Sequence, residues 1–273
     1  MSKPGKYAEE DQAIARLREE LKQRFPLPEP PPPRKKRSGA SAVGLLSLAL
    51  LAVLVWLDPA YHSSHYLSTT GQRQTLHLAD GSQVVLDGAS ELNVSWHLRS
   101  RRSELVHGQA LFEVSAKIYR PFLVDAGTAA VKVVGTRFNV SRERDDVRVT
   151  VAEGRVAVQA GNGSSLLGAG QQVQVHAGQL GATASVDAAA VMAWRSGQLI
   201  FESTPLAEVV TVIQRYHAKP IRLSDPTLGS LPVSGVFDSA RVERLLALLP
   251  GVLPLTVSTA VDGSVLIGAR GKK

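Results

Sequence analysis

Between Gly39 and Leu57 the chain reads GASAVGLLSLALLAVLVWL, nineteen residues without a charge. As a helix rising 1.5 Å per residue, this stretch is about 28 Å long, close to the ~30 Å hydrocarbon thickness of a bilayer. Its only hydroxyl residues are Ser41 and Ser47, too few for the polar face that a surface helix of a soluble protein carries. Arg34, Lys35, Lys36 and Arg37 stand immediately before it, Trp56 sits at its far end, and Asp58-Pro59 would stop it. Basic residues stay on the cytoplasmic side and Trp favours the interface, so the pattern predicts one transmembrane helix over 39–57 with the N-terminus inside. A secretory leader fits poorly. The run begins about forty residues in, exceeds the usual 7–15-residue apolar core, and is followed by no small-x-small cleavage site.

Most of the 273 residues then lie on the far side of the anchor, enough for one or two compact domains. The net charge of +7 is unevenly placed: residues 1–41 hold ten Lys/Arg against six Asp/Glu, and the remainder is nearly balanced. The basic residues sit where a topology signal belongs and no nucleic-acid motif accompanies them, so no nucleic-acid partner is expected. Cysteine is absent, which excludes disulfides and thiolate metal sites.

Residues 1–38 read as a cytoplasmic tail. Ile14, Leu17, Leu21 and Phe25 recur at three- and four-residue steps, which predicts a helix over 9–25 with one apolar stripe. Acidic residues open it and Lys22 and Arg24 close it, the order that the helix dipole prefers. A lone helix of this length is marginal in water, so the stripe is expected to bind a partner; a solvated, frayed helix is the alternative. Pro28 and Pro30 to Pro33 then make a stiff spacer to the basic block.

Past the anchor, residues 58–67 read as a linker; its His62 and His65 lack further ligands, so no metal site is expected there. The period then changes to two. Thr75 to Leu86 alternates around Asp80-Gly81, the pair a type I′ hairpin turn favours because both of its central residues need positive φ. Short alternating runs follow at Leu92-Val94-Trp96, Ala110-Phe112-Val114, Phe122-Val124, Val131-Val133, Phe138-Val140, Val147-Val149-Val151, Val156-Val158 and Val173-Val175. They predict an all-β domain over 68–176, either sandwich or solenoid, because periodicity does not separate the two. Residues 177–193, rich in Gly, Ala and Ser, read as a linker or short helix. Over 194–269 the order becomes β-α-β-β-α-β-β, a small α+β domain. Its first helix is expected behind a Thr204 cap, with Pro205 at the first helical position and Leu206, Val209, Val210 and Ile213 facing its core.

No G-x-S-x-G, HExxH, Walker or dinucleotide fingerprint occurs. Gly161-Asn162-Gly163-Ser164-Ser165 lacks the Lys of a phosphate loop and reads as a turn, and Asp145-Asp146 as a charged hairpin tip. No enzyme activity, cofactor or metal is expected.

Taken together, LADGSQVVL (78–86), GQALFEV (108–114), Arg120-Pro121-Phe122, VGTRFNV (134–140), VAEGRVAV (151–158) and GAGQQ (168–172) resemble the periplasmic domain of FecR-type transmembrane regulators of iron uptake. WRSGQLIF (194–201), residues 205–210 and Arg215-Tyr216 resemble that family's C-terminal domain, which is similar to the short N-terminal module of secretins and TonB-dependent receptors. The resemblance implies a solenoid-like β body with a small α+β module, held in the inner membrane of a Gram-negative bacterium. It implies a relay from the periplasmic signalling domain of a TonB-dependent outer-membrane receptor to a cytoplasmic ECF sigma factor, controlling iron or siderophore uptake genes. Ile14, Leu17, Leu21 and Phe25 would then form the cytoplasmic contact. The chain departs from the family at its front, where the usual cytoplasmic domain is a longer helical unit. A periplasmic scaffold or envelope-assembly protein with no transcriptional output is the other reading.

The resemblance also implies self-cleavage at Gly135-Thr136, since some members are processed at the corresponding Gly-Thr. The Thr136 hydroxyl would attack the Gly135 carbonyl, the acyl group would move from nitrogen to oxygen, and hydrolysis of the ester would cut the chain. A glycine bulge or tight turn with a locally hydrogen-bonded Thr136 is the structural alternative.

Overall fold

The computed structural model describes residues 6–26 and 39–270, with side chains described from residue 10 in the first helix and from residue 44 in the second. The first helix, α1 (Lys6–Arg24), holds Ile14, Leu17 and Leu21 and stops one residue before Phe25; all four are at least half exposed. The second, α2 (Gly39–Leu57), takes in the whole apolar run. Among the described residues no helix is long and apolar enough to cross a membrane. From Gly44 to Leu57 the described side chains account for only about 21 Å of rise. Arg34, Lys35, Lys36, Arg37 and the proline spacer lie outside the described residues.

Residues 58–67, expected as a linker, instead form a strand. β1 (Ala60–Leu67) pairs antiparallel with β4 (Glu91–His97). The reason it was illegible is that β1 covers only an edge: most of its side chains stay exposed, so no apolar alternation marks it. His62 shares a hydrogen bond with Ser64, and His65 pairs with Glu91 at 3.0 Å.

The remaining strands of the β body are β2 (Gln74–His77), β3 (Gln83–Leu86), β5 (Arg101–Glu113), β6 (Phe122–Asp125), β7 (Ala130–Val133), β8 (Arg137–Glu143), β9 (Asp146–Glu153), β10 (Val156–Ala160), β11 (Gly163–Leu167), β12 (Gln171–His176), β13 (Gln179–Leu180) and β14 (Ala184–Ser185). One of them, β5, belongs to two sheets. Its first half lies between β4 and β6, the latter in parallel, and its second half lies between β3 and β8. Gly108, at φ +89°, stands at the changeover, where a Cβ would come within 2.2 Å of the Ser90 hydroxyl. The first sheet runs β1-β4-β5-β6-β7-β10-β11; the second runs β2-β3-β5-β8-β9-β12, with β13 and β14 on β12.

Their inner faces close one core. Leu92, Leu105, Phe122, Val131 and Val156 come from the first sheet and Leu86, Phe112, Phe138, Val149 and Val173 from the second. Phe112 stacks on Phe138 with ring centroids 5.1 Å apart. Two layers with antiparallel ladders everywhere except β5-β6 make this a sandwich rather than a stack of parallel coils.

Turn chemistry differs from the sequence reading at two places. At Asp80-Gly81 only Gly81 has positive φ (+85°), and the Gly81 N–H bonds to the Leu78 carbonyl at 3.0 Å, so Ala79 and Asp80 make the turn. Asp80 is held there by Ser82, whose N–H and hydroxyl both donate to its carboxylate. The two-residue hairpin with both central φ values positive occurs at Ala177 (+46°) and Gly178 (+76°), joining β12 to β13. Most of the stretch expected as a linker is thereby laced back onto β12. Gly161-Asn162 is a turn as expected, but Gly163 already starts β11.

The C-terminal module follows the expected order after a short helix, α3 (Ala188–Val191): β15 (Gln198–Pro205), α4 (Leu206–Gln214), β16 (Ile221–Leu223), β17 (Pro232–Asp238), α5 (Val242–Val252), β18 (Leu255–Thr259) and β19 (Val265–Ala269). β15 pairs with β17, while β19 lies between β16, in parallel, and β18. Leu206, Val209 and Ile213 are buried as expected, with Val210 partly so. Thr204 does not cap α4: Pro205 occupies the cap position, and the Thr204 hydroxyl accepts from the Glu202 N–H instead.

Candidate functional site

Residues that the two-residue period assigns to solvent line the outer face of the second sheet, and the C-terminal module covers part of it. Val85 and Leu111 point outward from β3 and β5, yet they are buried with Trp194, Leu199, Phe201 and Leu206 in the module's core. Sheet residues covered on both sides account for the unbroken apolar runs VVL (84–86) and ALF (110–112), which one-sided burial would have interrupted.

Beside this apolar strip lies a polar row from alternate positions: Asp87 after β3, Gln109 on β5, and Asn139, Ser141 and Glu143 on β8. Arg215, at the C-terminus of α4, inserts into it. Its Nε and Nη2 reach Glu143 at 2.9 and 2.5 Å, Nη2 also donates to the Ser141 hydroxyl at 2.9 Å, and Nη1 donates to Gln109. Asp87 lies 3.5 Å from the same Nη1, and the neighbouring Tyr216 hydroxyl donates to its Oδ1 at 2.7 Å. Trp194 Nε1 donates to Asn139 Oδ1 at 3.2 Å. Arg73 Nη1 in turn donates to the Trp194 carbonyl at 2.5 Å. Gly88 allows the close approach, since a Cβ there would meet the Arg215 carbonyl at 2.9 Å. Two more ion pairs, Arg148–Glu208 and Arg195–Glu113, bracket the joint.

The charges inside are unequally satisfied. Burial pushes the Asp87 carboxyl above its ordinary value; Arg215, Tyr216 and the Gly88 N–H offset only part of this, and Oδ2 has no hydrogen-bond partner. Burial followed by the Asp87 charge likewise pushes the Tyr216 hydroxyl up. A cleft of about 490 Å³ opens beside the joint, lined in part by Asp87, Gln109, Asn139, Trp194 and Arg215. Among the described residues no three His, Asp or Glu side chains converge as a metal would require. What the arrangement can do is hold two domains together, with buried polar groups that demand one registration.

The sequence reading did not foresee the joint, although Trp194, Arg215 and Tyr216 fall within the motifs that carry the family resemblance. A signal was present: Gln109, Asn139, Ser141, Thr150, Gln172 and Gln174 are uncharged on a face where solvent would favour Lys and Glu.

The structure places Gly135 and Thr136 between β7 and β8. A Cβ on Gly135 would stand 2.6 Å from the Ala116 Cα, so glycine is required by a close approach; neither residue has positive φ. Thr136 is buried, and its hydroxyl has no hydrogen-bond partner among the described residues, in contrast to the locally bonded Thr of the structural alternative. Ile14, Leu17 and Leu21 lie on α1, and Phe25 follows its last residue.

A FecR protein family model matches residues 64–157, and a FecR C-terminal model matches residues 198–267. No curated protein matches the chain. One crystal structure, described as a candidate anti-sigma factor from Parabacteroides distasonis, shares the fold with a TM-score of 0.70 at 24% identity, covering 77% of this chain and 100% of that one. A second, described in the same words and from the same organism, gives 0.69 at 24% identity, with 75% and 98% covered.

Proposed function

Because the chain belongs to the FecR family, we propose that it regulates a sigma factor from a position anchored in the inner membrane. The observation that carries this reading is the pair of family domains, in order and in one chain, behind an apolar helix. The shared fold with candidate anti-sigma factors supports it.

In this reading α2 spans the membrane once, with α1 in the cytoplasm and the two-domain body in the periplasm. The C-terminal module receives a signal from the periplasmic signalling domain of a TonB-dependent outer-membrane receptor. Its short exposed strand edges offer a template for a partner strand. The stripe of α1 meets an ECF sigma factor, and the output is expression of iron or siderophore uptake genes. The joint at Arg215 suits such a relay, because it ties the module that meets the receptor to the body that continues to the membrane.

The test is recovery of a sigma factor with the tagged full-length chain. Leu17→Asp together with Leu21→Asp should abolish that recovery, since a charge buried where the stripe docks costs several kcal/mol. Unchanged sigma-dependent transcription in the double variant would refute a role for α1. Recovery of envelope proteins alone would favour a scaffold. For orientation, a reporter active only in the periplasm should work when fused after Thr70 and fail after Arg34.

A further inference from the structure

We propose that the end of the β body formed by residues 97–102 and 115–121 rests on the anionic phospholipid surface of the membrane that holds α2. The inference depends on the reading of α2 as a membrane span, and its first support is the absence of slack between helix and body. Asp58, the residue after α2, is locked into the first of these loops: its carboxylate accepts from the Arg99 N–H at 2.8 Å and the Ser100 hydroxyl at 2.7 Å, and its carbonyl accepts from the His97 ring. The Arg99 guanidinium reaches back to the Val55 carbonyl at 3.4 Å, within the last turn of α2. β1 begins two residues after Asp58, so the body starts where the helix stops. A helix that ends at the bilayer surface therefore brings these loops to that surface.

The chemistry of the loops fits it. Leu98, Ile118 and Tyr119 are 62, 78 and 97% exposed, and Trp56 and Tyr61 beside the junction are also exposed. Single exposed apolar residues need no explanation, but here three stand on two loops that Arg120 joins. Its guanidinium donates to the carbonyls of His97 and Ser100 and to the Tyr61 hydroxyl. The same two loops contain Arg99, Arg101, Arg102, Lys117 and Arg120 and no carboxylate. The two acids that reach in are occupied: Asp80 by Arg101 and Ser82, Asp58 by the loop itself with Arg102 at 3.9 Å. Exposed aromatic and aliphatic tips among surplus cations match a headgroup layer, where Tyr and Trp sit at the interface and Lys and Arg meet phosphate.

The chain has no cysteine, so single labels can be introduced into the full-length protein without background. Leu98→Cys, Tyr119→Cys, Leu48→Cys and Val261→Cys would each carry a fluorophore, in vesicles of phosphatidylethanolamine with phosphatidylglycerol, and quenching by brominated lipid would be read. Quenching is expected at 98 and 119 at a shallow depth, at 48 more deeply, and not at 261, an exposed residue of the C-terminal module. Arg99→Glu with Lys117→Glu should shift the ratio of apposed to lifted body by about fivefold for each cation removed, with position 48 unchanged. Quenching at 48 without quenching at 98 and 119 overturns this inference and leaves the span standing. Silence at all positions overturns the span and the inference together. Equal quenching at 98 and 119 in phosphatidylcholine alone overturns the role of anionic headgroups.

Discussion

Two buried aspartate–arginine pairs, one inside the β body and one in the joint between the domains, differ in nearly everything but composition. Arg101 and Asp80 lie 2.5 Å apart at 0 and 2% side-chain exposure, and Arg101 also donates to the carbonyls of Ser115 and Arg120 at 3.0 Å while lying over the Phe122 ring. Burial acts to raise the Asp80 carboxyl, but hydrogen bonds from Ser82 and Arg101 outweigh it and hold the group below its ordinary value. Arg215 and Asp87 are as deeply enclosed but 3.5 Å apart, and the guanidinium spends its hydrogen bonds on Glu143, Ser141 and Gln109. Burial then wins, and the Asp87 carboxyl is raised. The first pair is fully satisfied and clasps a hairpin to the body; the second carries an uncompensated cost at Asp87 Oδ2.

The sharpest way to break the comparison is to remove each arginine. Arg101→Met should leave Asp80 buried without its partner and cost about 3–5 kcal/mol, read as a fall in the urea midpoint of the β body. Arg215→Met should cost about 2–3 kcal/mol and act on the joint alone. Hydrogen exchange would then rise at the Gly71 amide, which donates to the Arg215 carbonyl across the joint at 2.9 Å, while the ladder amides of β3 and β5 stay protected. If both variants unfold the whole chain together, the two sites are not separable.

The pairs should also respond to pH with opposite sign. Asp87, whose value is raised, contributes its full stability below the ordinary carboxylate value of about 3.9 and loses it as pH rises through the raised value. Asp80, whose value is lowered, contributes its full stability above the ordinary value and loses it as pH falls through the lowered one. Asp87→Asn should therefore flatten the loss of joint stability on the rising side and leave the acid limb unchanged. Urea midpoints across pH for the native and substituted chains are the measurement.

The smallest effect on stability is expected at Thr136. Its buried hydroxyl lacks a hydrogen-bond partner, so Thr136→Val, which keeps the shape, should be neutral or stabilising by about 1 kcal/mol. For the proposed self-cleavage the same position is decisive. With tags at both ends, the native chain should yield two fragments divided at Gly135-Thr136, and Thr136→Ala should stay intact. A single intact band from the native chain that still signals would end that proposal.

What the sequence determined by itself is whatever depends on near neighbours in the chain. The stripe of α1, eight of the inner strands and the order of the C-terminal module follow from periods of 3.6 or two that a one-sided environment imposes, and α2 from an unbroken apolar run. The family was legible for the same reason, through local motifs such as VGTRFNV and VAEGRVAV. What the tertiary structure decided is where a second environment intervenes. β1 is a strand because β4 supplies its hydrogen bonds, although its own side chains carry no pattern. Asp80 leaves the expected turn position because Ser82 and Arg101 claim its carboxylate. Arg215 meets Glu143, Gln109 and Asp87 across 72 to 128 residues of sequence, a convergence that no local period encodes, because hydrogen bonding and burial at the joint depend on which faces meet in space.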